Sequence, residues 1–463
     1  MKNFSVIGAG VSGSALAFLA ADLGAKVFVS EEKESGVPAP LAERFRAAGI
    51  EWEAGGHTER AFRGADAVLL SAGVPPSAAC VAEAERRGIP VVGEIDFAAP
   101  HIRGPVIGVT GSNGKSTVTS LCGHILRKAG LKAAVGGNLG EAASLFTKED
   151  FDCVVLELSS FQLARTSRLR CRVGVVTNLA PDHIDWHGSY EAYAAAKARL
   201  LSLVDPSGWG VAQQCDALAL NASPTKTALL EWENAGQKER DASVGKSAGK
   251  IAMGEDAAHL VVNGDSRLLF RYRDTSLIGR HNLENVAMAF AAVRLFGVDA
   301  GGEDAAQFLD GFRPLPHRCE LVGEVDGVRY IDDSKGTNVA ASATAMGSID
   351  GRKVVILGGK GKGEDYAPLA EAVKRHADAA VLLGAEREKI EAALRSAGFS
   401  NIRSAPNMEE AVEAARSLAR PGMVVLLSPA CTSWDMYESY KKRGEHFNAV
   451  VRGFFPGPRP DAH

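Results

Sequence analysis

The sequence predicts an α/β protein of three domains, an expectation that rests on length, composition and the spacing of apolar runs. Its 463 residues exceed what one hydrophobic core usually organises. Fifty glycines and an aromatic fraction of only 6% favour a fold with many strand-to-helix turns. Short apolar runs separated by helical stretches are typical of parallel sheets covered by helices.

Three groups of apolar runs divide the chain. They lie at 4–7, 26–29, 67–70 and 90–92; at 106–109, 153–156 and 173–177; and at 354–357, 380–383 and 424–427. Linker-like segments at 98–105 and 312–316, which contain proline and glycine, predict domains 1–93, 94–313 and 314–463. The polar stretch Glu233–Lys250 predicts a surface excursion in the central domain, and the tail Pro456–His463 is expected to be mobile.

Charge and composition argue against several classes of partner. A formal net charge of -4 gives no global electrostatic argument for nucleic acid or an anionic membrane, because such partners usually require a concentrated basic face. No run of about 18 apolar residues predicts a membrane span, and the short run at 4–7 is too brief for a signal peptide. The seven cysteines contain no CxxC pair and predict reduced, mostly buried thiols. We therefore expect a cytoplasmic protein that binds neither nucleic acid nor membranes.

A glycine-rich turn follows the first apolar run. Gly8-Ala-Gly-Val-Ser-Gly13 has the GxGxxG pattern of a Rossmann-like phosphate-binding turn, a weak signal by itself. The next strand ends at Ser30-Glu31-Glu32, which displaces the acidic residue expected for NAD by one position and disfavours a nicotinamide cofactor. The turn Ser71-Ala-Gly73 either supplies further donors to a diphosphate or is an ordinary turn.

A stronger phosphate motif opens the second group. Gly111-Ser-Asn-Gly-Lys-Ser-Thr117 places Lys115 and two hydroxyls at the start of a helix that follows an apolar strand. Backbone N–H groups, the helix dipole and a lysine then converge on phosphate oxygens. The spacing departs from the usual P-loop, because Val109 stands where a glycine is expected.

Polar groups follow the next two strands of that group. Glu157 ends one run, and Asn178-Leu-Ala-Pro-Asp-His183 follows the other. Ligands of α/β sheets bind beyond the carboxyl ends of the strands. Glu157, His183 and the P-loop hydroxyls therefore predict magnesium ions that bridge phosphates.

Together these motifs resemble the Mur ligase family in order and spacing. The resemblance rests on Gly111–Thr117, Glu157–Leu163, Asn178–His183 and Gly279-Arg-His-Asn-Leu-Glu-Asn285, and covers nearly the whole chain. Within the family, the closest resemblance is to the members that add D-glutamate, through Asp332–Asn338, Leu357–Lys362 and Leu427–Asp435.

The resemblance implies a fold and an activity. The expected domains are a Rossmann-like N-terminal domain for the UDP-substrate, a central P-loop ATPase-type domain with a mostly parallel sheet, and a Rossmann-like C-terminal domain for the amino acid. The expected reaction is ATP-dependent addition of D-glutamate to UDP-N-acetylmuramoyl-L-alanine through an acyl phosphate, giving ADP and phosphate. Both substrates are small molecules, and a monomer is expected.

Other activities stay open at this point. Another Mur-family amide ligase or a folylpolyglutamate synthase-like ligase would share the ATP site and differ in the acceptor and amino-acid pockets. An NAD-linked oxidoreductase would rest on Gly8–Gly13 alone. A non-enzymatic nucleotide-binding regulator is disfavoured, because the residues for phosphoryl transfer are complete.

The resemblance also assigns site residues. Catalytic residues would be Lys115, His183, Lys197 and Arg318, with His183 either a metal ligand or a base. ATP would contact Gly111, Ser112, Asn113, Gly114, Lys115, Ser116, Thr117, Asn282, Asn285, Arg318 and Asp333. The UDP-substrate would contact Val11, Ser12, Ser71, Gly73, Asn138, Ser159, Gln162 and His183. D-Glutamate would contact Lys335, Thr337, Lys362, Ser433, Trp434 and Tyr440.

Two implied features concern metal and uracil. Two magnesium ions would be bound by Ser116, Glu157, His183 and Lys197, with Lys197 carboxylated into an anionic ligand; without the resemblance, Lys197 reads as an exposed helix lysine. At the uracil loop, Ser30–Glu32 lacks the Asp-Thr-Arg arrangement of some relatives. The mode of uracil binding is therefore not predicted.

Overall fold

The computed structural model describes residues 2–75, 77–216, 226–232, 247–277, 279–313 and 315–454. The chain divides into two compact units. The first comprises Met1–Leu179, Glu191–Thr275 and Asn285–Asp310, and the second comprises Ala180–Tyr190, Ser276–Glu284 and Gly311–His463. Two sheets belong to the first unit and one to the second.

A five-stranded parallel sheet opens the first unit. Its strands are β1 (Asn3–Ile7), β2 (Lys26–Glu31), β3 (Glu51–Ala54), β4 (Ala67–Leu70) and β5 (Val91–Gly93). They pair in the order β3-β2-β1-β4-β5. The accompanying helices are α1 (Val11–Asp22), α2 (Ala39–Ala47), α3 (Ala79–Arg86) and α4 (Glu94–Ala98). Every residue of β4 is buried, as expected for a strand covered on both faces.

A nine-stranded sheet completes the first unit. Its strands are β6 (Val106–Thr110), β7 (Ala133–Gly137), β8 (Cys153–Glu157), β9 (Cys171–Val176), β10 (Val204–Gln213), β11 (Lys226–Trp232), β12 (Ser247–Met253), β13 (Ala257–Val262) and β14 (Asp265–Arg271). Their order is β14-β13-β12-β11-β10-β9-β6-β8-β7, with only β13 antiparallel to its two neighbours. Because β9, β6 and β8 are adjacent and parallel, the residues that follow them meet at one sheet edge.

The helices of the central chain region lie between these strands or follow the last of them. They are α5 (Lys115–Lys128), α6 (Ser160–Ala164), α7 (Ile184–His187), α8 (Tyr190–Ser202), α9 (Arg280–Phe296) and α10 (Ala305–Leu309). Helix α9 is strongly apolar, and Val286–Val293 is fully buried. No described helix is long and apolar enough to cross a bilayer.

The second unit contains a six-stranded sheet. Its strands are β15 (Glu320–Val325), β16 (Val328–Asp332), β17 (Lys353–Leu357), β18 (Ala377–Leu382), β19 (Ile402–Ser404) and β20 (Val424–Leu427), in the order β15-β16-β20-β17-β18-β19. Only β15 is antiparallel. The helices are α11 (Val339–Ser348), α12 (Ala367–His376), α13 (Arg387–Ser396), α14 (Met408–Leu418) and α15 (Tyr440–Arg452). Alternate residues of β17 enter two separate cores, one on each sheet face.

The predicted α/β class with mostly parallel sheets is confirmed, and several local predictions need correction. Ser247–Lys250 belongs to β12 rather than to a polar excursion, while the rest of that stretch and the tail Pro456–His463 lie outside the described residues. The predicted linker at 98–105 starts with helical residues, because α4 ends at Ala98 and a 3-10 turn covers Ala99–His101. The seven cysteines are free thiols, of which only Cys215 is exposed.

Gly13 tests the close packing of α1 against the end of β1. A Cβ at Gly13 would collide with the carbonyl oxygen of Gly8, whereas a Cβ at Gly10 meets nothing within 4 Å. We expect Gly13→Ala to lower the free energy of unfolding by about 1–3 kcal/mol. Urea denaturation measures the loss. Gly10→Ala is the matched control, because Gly10 has a φ of −68°, which alanine adopts readily. Equal stability of the two variants would contradict this packing.

Candidate active site

The phosphate-binding loop joins β6 to α5. Gly111–Gly114 makes the turn, and Gly114 has a φ of 80°, a left-handed conformation that favours glycine. A Cβ at Gly114 would also collide with Oδ1 of Asn285 on α9. At the start of α5, a helix terminus whose N–H groups favour an anion, the loop is therefore packed tightly against Asn285.

The loop is anchored to the residues that follow β9. The Ser112 N–H donates to the Asn178 carbonyl oxygen at 2.8 Å, and the Asn113 N–H donates to Asn178 Oδ1 at 2.9 Å. The Thr177 hydroxyl donates to the Asn113 carbonyl oxygen. The loop conformation thus depends on a neighbouring strand.

Lys115 lies over the loop that precedes it. Its ammonium group donates to the carbonyl oxygens of Gly111 and Ser112 at 2.8 and 2.9 Å. On the other side, Ser112 Oγ lies 2.9 Å from the Tyr193 hydroxyl. Ser116 and Thr117, which begin α5, are buried. Lysine, hydroxyls and helix start therefore share one site, as the sequence predicts.

Glu157 ends β8 as a buried carboxylate. Its Oε1 accepts a hydrogen bond of 2.7 Å from Nδ2 of Asn138, which follows β7. The Asn138 N–H also donates to the Glu157 carbonyl oxygen at 2.8 Å. The structure thus brings together two residues predicted for different ligands, the metal and the UDP-substrate.

Lys197 is buried within α8, with 2% of its surface exposed. Its ammonium nitrogen lies 4.7 Å from the centre of the Tyr193 ring. The reading of Lys197 as an exposed helix lysine is wrong, because α8 turns this face toward the sheet. A buried lysine is rare unless paired or chemically altered.

The first glycine-rich turn carries the predicted UDP contacts. Ser12 Oγ accepts a hydrogen bond of 3.0 Å from the Ala72 N–H and lies 3.3 Å from Ser71 Oγ. Val11 is 71% exposed, and Gly73 has open space around its Cα. The Glu31 carboxylate caps the turn by accepting from the Ala9 N–H at 2.6 Å. Glu31 therefore has a local structural role that its sequence position did not reveal.

Ser159 and Gln162, also predicted for the UDP-substrate, form the capping box of α6. The Gln162 N–H donates to Ser159 Oγ at 3.2 Å, and the Ser159 N–H donates to Gln162 Oε1 at 2.9 Å. Reciprocal bonds of this kind fix the start of a helix. Both side chains are thereby held in place at the end of β8.

In the second unit, Asp182 organises the residues around His183. Its carboxylate accepts from Lys362 Nζ and from Asn338 Nδ2, both at 3.1 Å, and from the His183 N–H at 2.9 Å. His183 has a φ of 52° at the start of α7. Lys362, predicted for D-glutamate, is thus ion-paired with a residue that the sequence analysis did not assign.

Arg318 and Asp333 lie together in the second unit. Asp333 Oδ2 accepts from the Ser428 hydroxyl at 2.7 Å. Burial raises the pKa of Asp333 to about 7, against the opposing effects of the Ser428 bond and the Arg318 charge. Burial and the same Arg318 charge lower the pKa of His281 to about 4. His281 neighbours Asn282, which is buried as well.

Of the residues predicted for D-glutamate, Lys335 contacts Tyr440 at the start of α15. Lys335 Nζ donates to the Tyr440 hydroxyl at 3.2 Å and lies 4.7 Å from the centre of that ring. The Thr337 N–H donates to the Lys335 carbonyl oxygen. Ser433 is buried, whereas Trp434 is 70% exposed. The set therefore combines fixed cations with one exposed aromatic side chain.

Arg443 ties the two loops of this region together and was not predicted. Its guanidinium donates to Ser334 Oγ and to the carbonyl oxygens of Ser334, Cys431 and Thr432, at 2.8–3.2 Å. Burial lowers its pKa to about 10. Asn178 and Asp182 lay inside a recognised motif and could have been assigned, but no local pattern marks Arg443.

Comparison with known proteins identifies the family. The model of the Mur ligase MurD-like N-terminal domain matches residues 2–93, that of the Mur ligase middle domain matches 109–293, and that of the Mur ligase glutamate ligase domain matches 317–431. A protein of Pelotomaculum thermopropionicum named UDP-N-acetylmuramoylalanine–D-glutamate ligase is 40% identical over 97% of each chain. The chain belongs to the Mur ligase family.

Solved structures support the same fold. A pseudomurein peptide ligase type C of Methanothermus fervidus superposes on this Mur ligase with a TM-score of 0.60 and 18% identity, covering 98% of this chain and 100% of the other. A MurF ligase of Thermotoga maritima in complex with ADP gives a TM-score of 0.58 at 16% identity, covering 92% and 95%. The predicted family and fold are therefore confirmed.

The ionisation of Asp333 predicts how the stability of this Mur ligase depends on pH. Its folded-state pKa of about 7 exceeds the ordinary 3.8, so the unfolded chain releases this proton first. Stability should therefore fall as pH rises from about 4 to 7, by up to about 1.4 kcal/mol per pH unit. Asp333→Asn should remove this contribution and become progressively more stable than the wild type over that window.

Urea denaturation at several pH values from 4 to 8 measures the difference. The exposed Asp326 is the matched position, and Asp326→Asn should show no such pH-dependent gain. A difference between Asp333→Asn and wild type that does not change with pH would contradict the raised pKa of Asp333.

Proposed function

We propose that this Mur ligase adds D-glutamate to UDP-N-acetylmuramoyl-L-alanine, using ATP and an acyl-phosphate intermediate. The observation that carries the proposal is the similarity over nearly the full chain to a ligase of that name. In the structure, the proposal is supported by a glycine-rich loop at a helix start in the first unit and by the cations Lys335 and Lys362, each held by a neighbouring side chain, in the second.

ATP is proposed to bind the Gly111–Thr117 loop, with Asn282, Asn285, Arg318 and Asp333 as further contacts. The Lys115 ammonium now bonds two loop carbonyls, and phosphate oxygens offer it stronger, charge-assisted hydrogen bonds. Lys115 and Arg318 would offset the charge on the transferring phosphoryl group. The alanyl carboxylate attacks the γ-phosphate, breaks its bond to the β-phosphate and releases ADP; the resulting acyl phosphate has a carbonyl that an amine can then attack.

Magnesium fits the residues assigned to it. The Glu157 carboxylate is buried and held by Asn138, as a hard oxygen ligand should be. Ser116, Glu157, His183 and a carboxylated Lys197 are the proposed ligands. Burial of Lys197 supports the carboxylation, because the modification replaces a buried cation by an anion that a metal neutralises. Magnesium, when bound, would supply positive charge beside the phosphates.

D-Glutamate is proposed to bind Lys335, Thr337, Lys362, Ser433, Trp434 and Tyr440. A dicarboxylate needs cations and hydroxyl or backbone donors, and Lys335 and Lys362 are both held in place by neighbouring side chains. Its amine must lose a proton before it attacks the acyl phosphate, giving a tetrahedral intermediate that collapses to the amide and phosphate. His183 is either the proton acceptor or a metal ligand.

The UDP half of the other substrate is proposed to bind Val11, Ser12, Ser71, Gly73, Asn138, Ser159, Gln162 and His183. Domains 1–93, 94–313 and 314–463 are proposed for the UDP-substrate, ATP and the amino acid. We also propose a cytoplasmic monomer that binds no nucleic acid. Light scattering on the purified protein tests the monomer, and a dimer mass would contradict it.

Substrate dependence tests the proposed reaction. With UDP-N-acetylmuramoyl-L-alanine, ATP and magnesium, phosphate release should require D-glutamate within a panel of amino acids of both chiralities. Mass spectrometry should show a product heavier by one glutamyl residue. A preference for another amino acid would favour a different Mur-family amide ligase, and activity with a folate acceptor would favour a folylpolyglutamate synthase-like ligase.

Lys197→Ala tests the proposed carboxylated lysine. We expect a loss of at least about 100-fold in kcat, because ligand loss removes charge stabilisation of the transferring phosphoryl group. Added bicarbonate should raise wild-type activity at low pH, where the carboxylated form is lost. Arg199→Ala, on the same helix, is the control and should retain activity. Wild-type turnover by Lys197→Ala would exclude the role.

A further inference from the structure

Glu94 is a buried acid at the first residue of α4, with 2% of its surface exposed. Its Oε1 accepts from the N–H and the hydroxyl of Ser144, at 3.4 and 3.3 Å. Its Oε2 has no hydrogen-bond partner among the described residues. A buried carboxyl group with so little compensation is costly and needs an explanation.

The surroundings of Glu94 connect the two sheets of the first unit. Helices α1 and α4 and the 3-10 turn Ala143–Leu145 contact one another. Ser144 belongs to that turn. Burial raises the pKa of Glu94, and the hydroxyl of Ser12, in the first turn of α1, is among the neighbouring groups that partly oppose this rise. Glu94 therefore lies between the five-stranded sheet and the chain that follows β7.

Ser12 relates Glu94 to the proposed UDP site. The Ser12 oxygen accepts from the Ala72 N–H and lies close to the Ser71 hydroxyl. The Ser12 side chain thus joins the turn Gly8–Gly13 to the turn Ser71–Gly73, and Glu94 neighbours Ser12. The position of these turns relative to Ser144 then depends on the hydrogen bonds that Glu94 makes.

We propose that Glu94 is a positioning residue for the nucleotide half of the substrate, holding the Ser12 turn against Ser144 so that both glycine-rich turns present their donors to the diphosphate. The inference rests on the proposed function, since it concerns the UDP-substrate. Glu94 acts through Ser12 and Ser144, so its removal should affect binding of that substrate rather than the chemical step.

Burial without a charged partner favours the neutral form of Glu94. No described lysine, arginine or histidine pairs with Glu94, and burial raises its pKa. As the neutral acid, Glu94 accepts at Oε1 and has a proton to donate, and the Ser12 oxygen has a second lone pair to accept it. Glutamine offers the same pattern.

Steady-state kinetics on the full-length enzyme test the proposal. We expect Glu94→Ala to raise the KM for UDP-N-acetylmuramoyl-L-alanine by about 5- to 20-fold, with kcat and the KM for ATP within about twofold of wild type. Glu94→Gln should stay within about twofold in all three constants, because it preserves the hydrogen bonds. Ser144→Ala keeps Glu94 but removes its partner, and should raise the same KM by a smaller factor; it provides the test if Glu94→Ala does not fold.

Asp96 provides the matched control on the same helix. It is buried and accepts from Ser167 and from the Arg168 N–H at 2.6–2.8 Å, away from Ser12. Asp96→Asn should lower the unfolding temperature without a selective rise in the KM for the UDP-substrate. An equal rise in Asp96→Asn, an unchanged KM in Glu94→Ala, or a KM in Glu94→Gln as high as in Glu94→Ala would overturn the proposal.

The wild-type assay distinguishes a failure of the proposed function from a failure of the proposed role of Glu94. If the wild type does not turn over this substrate, the proposed function fails. If the wild type is active and the Glu94 variants bind the UDP-substrate normally, only the role of Glu94 fails.

Discussion

The attachment of the Gly111–Gly114 loop to the end of β9 is the contact on which the phosphate site depends. The glycines at the two ends of this loop have no side chains with which to restrict its conformation. Asn178 and Thr177 supply that support by bonding the Ser112 and Asn113 backbone. Because β9 and β6 are neighbours in the sheet, strand pairing fixes the distance over which these bonds act. The loop geometry is therefore a property of the sheet.

In the second unit, neighbouring side chains hold two lysines in place, much as Asn178 and Thr177 hold the loop. Lys362 is held by Asp182 before any ligand arrives, and Lys335 is held by Tyr440. A cation that already has a fixed position loses less side-chain entropy when a carboxylate binds it. A carboxylate that bound Lys362, as proposed for D-glutamate, would compete with Asp182, so its affinity would depend on the difference between two ion pairs. Such a difference favours selectivity for ligands of the right geometry over high affinity for any carboxylate.

Burial explains which parts of the fold could be predicted from sequence. The bounds of β4 and β20 follow from apolar runs, because both strands are buried on both faces. Ser247–Lys250 was misread since Ser, Gly and Lys carry no strand periodicity, yet pairing with β11 and β13 makes a strand of them. Neighbouring strands, rather than intrinsic propensity, decided that segment.

The candidate site shows the same division between local and distant information. The phosphate loop and Glu157 were predictable because each is encoded in a few consecutive residues. Asp182 and Lys362 are 180 residues apart, and Arg443 bonds residues of two different loops. Nothing within a short window reveals such partners. Lys197 shows the limit clearly, since a lysine within a helix is expected to be exposed while the fold buries this one.

The buried Arg443 also limits which substitutions this protein can accept during evolution. Four hydrogen bonds from one guanidinium fix the loops that carry Ser334 and Thr432, so substitutions that reshape those loops also disturb folding. Trp434 lies on the same stretch of chain but is largely exposed and can vary at little structural cost. A substitution at Trp434 could therefore weaken an inhibitor that contacts it without unfolding the protein, at the cost of the proposed D-glutamate contact. An inhibitor that relies on the loops held by Arg443 would leave the protein few viable ways to escape.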